Sequence, residues 1–226
     1  MLRENLGNTI KTIENTARSA GRSAADITLI AVTKTVPVGK INEAISYGIR
    51  DIGENRVQEA LEKYPQVKEK VTWHLIGHLQ TNKARQAVSI FDLIHSVDSL
   101  KLAREISRQA AAINKIQNIL IEANISGEES KYGVKKEEVP ELLREIGAWP
   151  NIKVQGLMTM APLAAEPALI RNVFKGLREL SQQINQGNFP GIEMKYLSMG
   201  MTQDYTIAIE EGASLLRIGT GIFGER

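Results

Sequence analysis

Short apolar runs alternate along this chain with stretches whose apolar residues recur every three or four positions. The runs are Ile27–Thr33, Asp51–Gly53, Val71–Ile76, Leu93–Val97, Ile119–Ala123, Ile152–Leu157, Met194–Leu197 and Leu215–Ile218. Short runs bounded by polar and glycine-containing segments predict strands. Between them, helical spacing predicts helices over Lys40–Tyr47, Val57–Lys63, Thr81–Val88, Ser99–Ile113, Lys136–Ile146, Ala165–Ile184 and Gln203–Glu211. Ahead of the first strand, Leu2, Leu6, Ile10 and Ile13 recur among Arg3, Glu4, Lys11 and Glu14, the pattern of an amphipathic surface helix. The runs at 51–53 and 194–197 are weak, and the alternation itself is the reason to read them as strands.

Strand–helix alternation implies βαβ crossovers and a parallel sheet. Eight strands in 226 residues leave about 28 residues per unit, close to the size of a βαβ module. The expectation is a single (β/α)8 TIM-type barrel with an extra N-terminal helix, filling 1–226 as one α/β domain. A doubly wound open sheet is the alternative, but no Gly-rich dinucleotide fingerprint follows the first strand. No linker, low-complexity segment or fixed-period repeat divides the chain.

Composition narrows the chemistry. Hydrophobic residues are 42% and charged residues 24%, enough apolar material for a sizeable core. A net charge of +2 is too near neutral for a polyanion-binding domain, so no nucleic-acid partner is expected. The absence of cysteine removes disulfides, thiolate metal sites and a cysteine nucleophile, and it fits a cytoplasmic setting. The N-terminal stretch has no signal-peptide core, and no run approaches the roughly 20 apolar residues of a membrane span.

In such a barrel the functional face is built where strands end. Lys34 directly follows the most apolar strand and shares a face with Val32 and Ile30. An inward lysine there is partly desolvated, which lowers its pKa and makes the amine a better nucleophile for a carbonyl. The competing reading is a packed stem with a solvated ammonium. Ser198-Met199-Gly200 and Gly219-Thr220-Gly221 follow the seventh and eighth strands, where barrels often seat a phosphate on loop amides. Alternatively, those residues only shape turns and cap a helix. In a closed barrel the first and last strands are neighbours, so Lys34 adjoins that cradle. A carbonyl-reactive lysine beside a phosphate site suggests a phosphorylated aldehyde: pyridoxal 5′-phosphate (PLP), or the substrate of a Schiff-base aldolase. Arg217 favours PLP, because two residues before Gly219 it could reach the pyridine nitrogen; an ion pair with Glu54 is the structural alternative.

His74 and His78 stand four apart, as in a zincin pair, but Gly77 and the strand pattern argue against its helix and the intervening residues lack its glutamate, so no metal is expected. With His95 they are read as satisfied structural groups, with acid–base roles at the mouth as the alternative. Met158, Met160, Met199 and Met201 are expected to pack around the mouth.

The stretches AVTKT (31–35), IGENRVQE (52–59), WHLIGHLQTNK (73–83), SGEESKYG (126–133), GLMTMAP (156–162), LSMGMTQDY (197–205) and LRIGTGIFGER (216–226) together resemble the pyridoxal phosphate homeostasis protein family. Thr202 stands where that family usually has serine, and it keeps the hydroxyl. The resemblance implies a barrel similar to the alanine racemase N-terminal domain, without that enzyme's C-terminal domain and the tyrosine acid–base it supplies. It implies a Lys34 aldimine with PLP, phosphate contacts from Ser198, Gly219 and Thr220, Arg217 facing the pyridine nitrogen, and Asn55 beside the cofactor. It further implies a non-enzymatic role in vitamin B6 and amino-acid homeostasis, with PLP passed by transimination to free amino acids or PLP-dependent apoenzymes. Lys131 is a candidate second amine, or a solvated loop lysine. A monomer is expected, since no dimerising domain is visible. A minimal PLP-dependent racemase or lyase is the enzymatic alternative.

Overall fold

Eight parallel strands close into a barrel in the computed structural model, which describes residues 1–128, 132–162, 165–187 and 189–225. In chain order the strands are β1 (Thr28–Val32), β2 (Asp51–Glu54), β3 (Thr72–Leu75), β4 (Leu93–Val97), β5 (Gln117–Asn124), β6 (Val134–Lys135), β7 (Ile152–Met158), β8 (Tyr196–Ser198) and β9 (Leu215–Ile218). β1 pairs with both β2 and β9, and β4 pairs with β5, so the eight-membered ring is complete. β6 is a two-residue addition beside β5. The helices are α1 (Leu2–Ser19), α2 (Val38–Ser46), α3 (Val57–Lys63), α4 (Ala84–Ile90), α5 (Leu100–Ala112), α6 (Val139–Ile146), α7 (Pro167–Gln186), α8 (Tyr205–Glu210) and α9 (Thr220–Phe223).

Both weak runs give strands, the second shifted to Tyr196–Ser198, because their pairing partners on either side supply what local composition does not. The expected helix at Thr81–Val88 divides into a 3-10 turn, Thr81–Lys83, followed by α4. α6 starts at Val139 rather than Lys136, with Pro140 in its first turn, where a missing N–H costs nothing. β6 and α9 were not anticipated, since two and four residues are too few to carry a periodicity.

α1 also corrects its own expected stripe. Leu6, Thr9, Ile13 and Ala17 are its buried face, whereas Ile10 is 40% exposed. Thr9 belongs to that face because its hydroxyl donates to the Gly221 carbonyl at 3.4 Å, and Asn5 Nδ2 donates to the Ile222 carbonyl at 3.3 Å. The helix therefore braces α9 from behind. Arg22, just beyond α1, donates to the carbonyls of Ile209 and Ala213 at the end of α8.

The main apolar core lies between barrel and helices and includes Ile41, Leu75, Phe91, Ile106 and Phe174. A separate small cluster, Ile30, Leu93, Leu120, Met158 and Leu215, belongs to the inward-facing positions. His74, His95, Ser198 and Arg217 are also buried, so the barrel interior is partly polar.

At one point the strands need the absence of a side chain. A Cβ at Gly156 would lie 2.0 Å from the Tyr196 carbonyl oxygen, its partner across β7–β8. Gly156→Ala should cost about 3 kcal/mol in denaturant unfolding, the upper range for an overpacked site. Gly39→Ala, at a helical position where a Cβ meets nothing within 4 Å, should leave stability unchanged or raise it by up to about 1 kcal/mol.

Candidate functional site

Val32, Lys34, Asn55, Arg217, Gly219 and Thr220 line one side of a cavity of about 460 Å³ built from residues at and beyond the strand ends. The facing wall is apolar, with Met160, Pro162, Pro167, Ile170 and Ile207. A concave site of this size with few polar groups has the character of a small-molecule pocket.

Each sequence-predicted residue has a definite place. Lys34 lines the cavity, but its side chain is exposed, so the burial expected of it is not found. The reason is local: β1 ends at Val32, and Lys34 already lies in the turn beyond, where Thr35 has φ +59°. Asn55 directly follows β2. A Cβ at Gly77 would fall 2.3 Å from the Asn55 carbonyl oxygen, so only glycine lets the chain beyond β3 approach so closely. Gly219 and Thr220 open α9, where first-turn amides have no intrahelical acceptor. Gly221 is satisfied separately, its amide donating to Thr202 Oγ1 at 3.3 Å.

Arg217 is 3% exposed in β9 and reaches the cavity from below. The ion pair with Glu54 is not formed, because Glu54 is held by Lys63 at 2.8 Å. Instead Arg217 Nη1 donates to Ser198 Oγ at 2.5 Å and Nη2 to the Thr159 carbonyl at 3.0 Å. Burial pulls its pKa down to about 10, against the attraction of Asp204 and Glu122, so it stays cationic at neutral pH. A guanidinium has five N–H donors, and these two bonds leave others for the cavity.

Ser198 does not line the cavity. It is fully buried, bonded to Arg217 and, at 2.8 Å, to His95 Nδ1. Beyond it, His95 Nε2 lies 3.0 Å from His74 Nδ1, and His74 Nε2 lies 3.0 Å from Asp51 Oδ1. With His74 neutral, one assignment supplies every contact with its hydrogen. Arg217 donates to Ser198, Ser198 to His95, His95 to His74, and His74 to the Asp51 carboxylate. Burial above all, with the Arg217 charge adding to it, holds His95 well below the usual histidine range, which keeps its Nδ1 an acceptor. Thus His74 and His95 are structural groups of the interior. His78 is apart from them, stacked on Tyr132 and 3.3 Å from Asp98. Met160 and Met201 line the cavity, while Met158 and Met199 are buried. Lys131 lies outside the described residues.

Sequence reasoning missed Asp204 and Glu122. Asp204 lines the cavity and accepts the Met201 amide at 2.5 Å. Glu122, at the end of β5, is 3% exposed. Burial, with the Asp98 carboxylate adding to it, pushes its pKa up to about 7, partly opposed by Arg217. Its place near the end of the fifth strand was the available signal.

A primary amine, a buried guanidinium and a glycine-bearing turn thus surround one chamber on a (β/α)8 barrel, a constellation suited to an anionic carbonyl compound. The family described as alanine racemase, N-terminal domain, matches residues 9–226. A pyridoxal phosphate homeostasis protein of Aquifex aeolicus (strain VF5) is 42% identical over 224 residues, 99% of this chain and 97% of its own length. A solved protein from Bifidobacterium adolescentis has a TM-score of 0.94 and 37% identity, covering 98% of this chain and 94% of its own. PipY of Synechococcus elongatus PCC7942, solved with PLP bound, has a TM-score of 0.87 and 34% identity, covering 99% and 100% respectively. The chain belongs to the alanine racemase N-terminal-domain family and, within it, to the pyridoxal phosphate homeostasis proteins.

Glu122 gives the barrel interior a measurable pH signature. Its proton is held more tightly folded than unfolded, so the stability it contributes is fully present below about pH 4.5 and is lost as pH rises towards about 7. Urea unfolding from pH 4.5 to 8 should show Glu122→Gln gaining on the parent across that window, by on the order of 3 kcal/mol at most. Parallel curves for the two proteins would contradict the assignment.

Proposed function

We propose that this chain holds PLP covalently through Lys34 and buffers or delivers it, without catalytic turnover of its own. The observation that carries the reading is the convergence of three groups on one cavity. Lys34 offers the amine for the aldehyde carbon, Arg217 a donor for the pyridine nitrogen, and the Gly219–Thr220 turn amides and a hydroxyl for the phosphate. Asn55 would flank the ring from its position after β2. Ser198 would act through Arg217, because its hydroxyl is committed to that guanidinium and to His95.

When bound, PLP supplies an aldehyde carbon that exchanges one primary amine for another, so a free amino acid or an apoenzyme lysine can replace Lys34. Arg217 suits holding rather than turnover. Being cationic, it would donate to an unprotonated ring nitrogen and would leave the ring a weaker electron sink than an acidic partner would. The relatives' naming as homeostasis proteins, and the PLP bound to PipY, support the same reading. We place this activity in the cytoplasm, in a monomer. No described helix is long and apolar enough to cross a membrane.

PLP added to the purified protein should produce the absorbance of a lysine-bound cofactor, and borohydride followed by peptide mapping should find the adduct on Lys34. Lys34→Ala should lose both while melting at the parent temperature; a band that survives would mean another amine is the anchor. The loaded protein should leave an α-deuterated amino acid unexchanged with solvent over many equivalents, and sustained exchange would make it a racemase-type enzyme.

A further inference from the structure

Behind the cavity wall, a buried lysine ties together the backbone on both sides of Lys34. Lys63 ends α3 and is 7% exposed. Its ammonium donates to the Thr33 carbonyl at 2.6 Å, to Glu54 Oε1 at 2.8 Å and to Glu59 Oε1 at 2.6 Å. An ammonium has three N–H donors, so these contacts use all of them. The two carboxylates then reach the same short segment. Glu54 Oε1 accepts the Thr33 hydroxyl at 2.6 Å, and Glu59 Oε1 accepts the Thr35 amide at 2.5 Å.

The segment needs such a hold. Thr35 has φ +59°, a region that β-branched residues rarely enter and that persists only where surrounding contacts enforce it. Without the Glu59 acceptor, Thr35 is free to return to the ordinary extended or helical regions, and the direction of the preceding side chain changes with it. A buried ion cluster is a poor device for stability alone, since apolar residues of similar volume often serve as well. Its contacts here converge on the residues that bracket one side chain, and bond formation at that side chain is sensitive to displacements of about 1 Å.

We propose that Lys63, Glu54 and Glu59 are positioning residues that fix the turn Thr33–Thr35 and so aim Lys34 Nζ at the carbonyl carbon of PLP. The proposal rests on the reading of Lys34 as the anchor. None of the three touches the cofactor; they act through the backbone on either side of Lys34.

The test follows the rate of PLP loading by stopped-flow absorbance, the borohydride-trapped Lys34 adduct by mass, and the melting temperature. Glu59 is only half-buried, so Glu59→Ala keeps the fold and is the decisive variant. It should load about tenfold more slowly than the parent, the scale of one charge-assisted hydrogen bond. Glu59→Gln keeps an oxygen for the Thr35 amide and should load within about threefold of the parent. Adding Thr35→Asn to Glu59→Ala should restore most of the rate, since asparagine enters the left-handed region readily. Gly156→Ala, which weakens the barrel elsewhere, should load at the parent rate. Lys63→Met should resemble Glu59→Ala if it folds. Parent-like loading by Glu59→Ala overturns the positioning role while leaving Lys34 as anchor. Slow loading by Gly156→Ala as well would reduce the effect to stability and also overturn it. A parent that forms no Lys34 adduct overturns the anchor reading and the positioning role together.

Discussion

A guanidinium buried inside the barrel sets the terms for the rest of the structure. Arg217 is 3% exposed, and a cation in that position must be hydrogen-bonded on every side that faces protein. β8 answers with a serine hydroxyl and β7 with the Thr159 carbonyl just beyond its end. The serine passes the demand to His95, that ring passes it to His74, and the sequence of donors ends on the Asp51 carboxylate. A fully apolar barrel interior would have been simpler to pack. This one accepts polar residues on five strands so that a single cation can stand under the cavity.

The rim is held by different means on its two sides. Near Gly219–Thr220, support comes from outside: α1 lies behind α9 and bonds its carbonyls through Asn5 and Thr9, while Arg22 fastens the end of α8. The N-terminal helix is therefore part of the site's frame. Near Lys34, support comes from buried charge, the Lys63–Glu54–Glu59 cluster. Opposite both, the wall of Met160, Pro162, Pro167, Ile170 and Ile207 contributes shape with few hydrogen bonds.

Much of this was legible in the sequence because it is encoded locally. Apolar runs gave the strands, their alternation with helical spacing gave the barrel, and strand ends gave Lys34, Arg217 and the Gly219–Thr220 turn, while Asn55 came from the family resemblance. What stayed hidden is encoded across the barrel. Asp51, His74, His95, Ser198 and Arg217 lie on β2, β3, β4, β8 and β9, and no spacing along the chain links them. Ser198 accordingly looked like a phosphate ligand, when its hydroxyl is turned into the interior. Lys63 was visible only as the last residue of a helix, because its three acceptors come from β2, α3 and the turn after β1. Even Ile10 was misassigned, since a threonine with a hydrogen-bonding partner took the buried position beside it.

The column beneath Arg217 also decides where this scaffold can change. Each inner member both gives and receives a hydrogen, so replacing one leaves two neighbours without partners, a penalty no single second substitution repairs. Variation by single steps is therefore directed away from the floor. The facing wall has no such coupling: its side chains meet the cavity by shape, and volume-conserving exchanges there are mild. A lineage or a designer seeking a different amine to accommodate has that wall as its working surface, while the floor passes unaltered from one variant to the next.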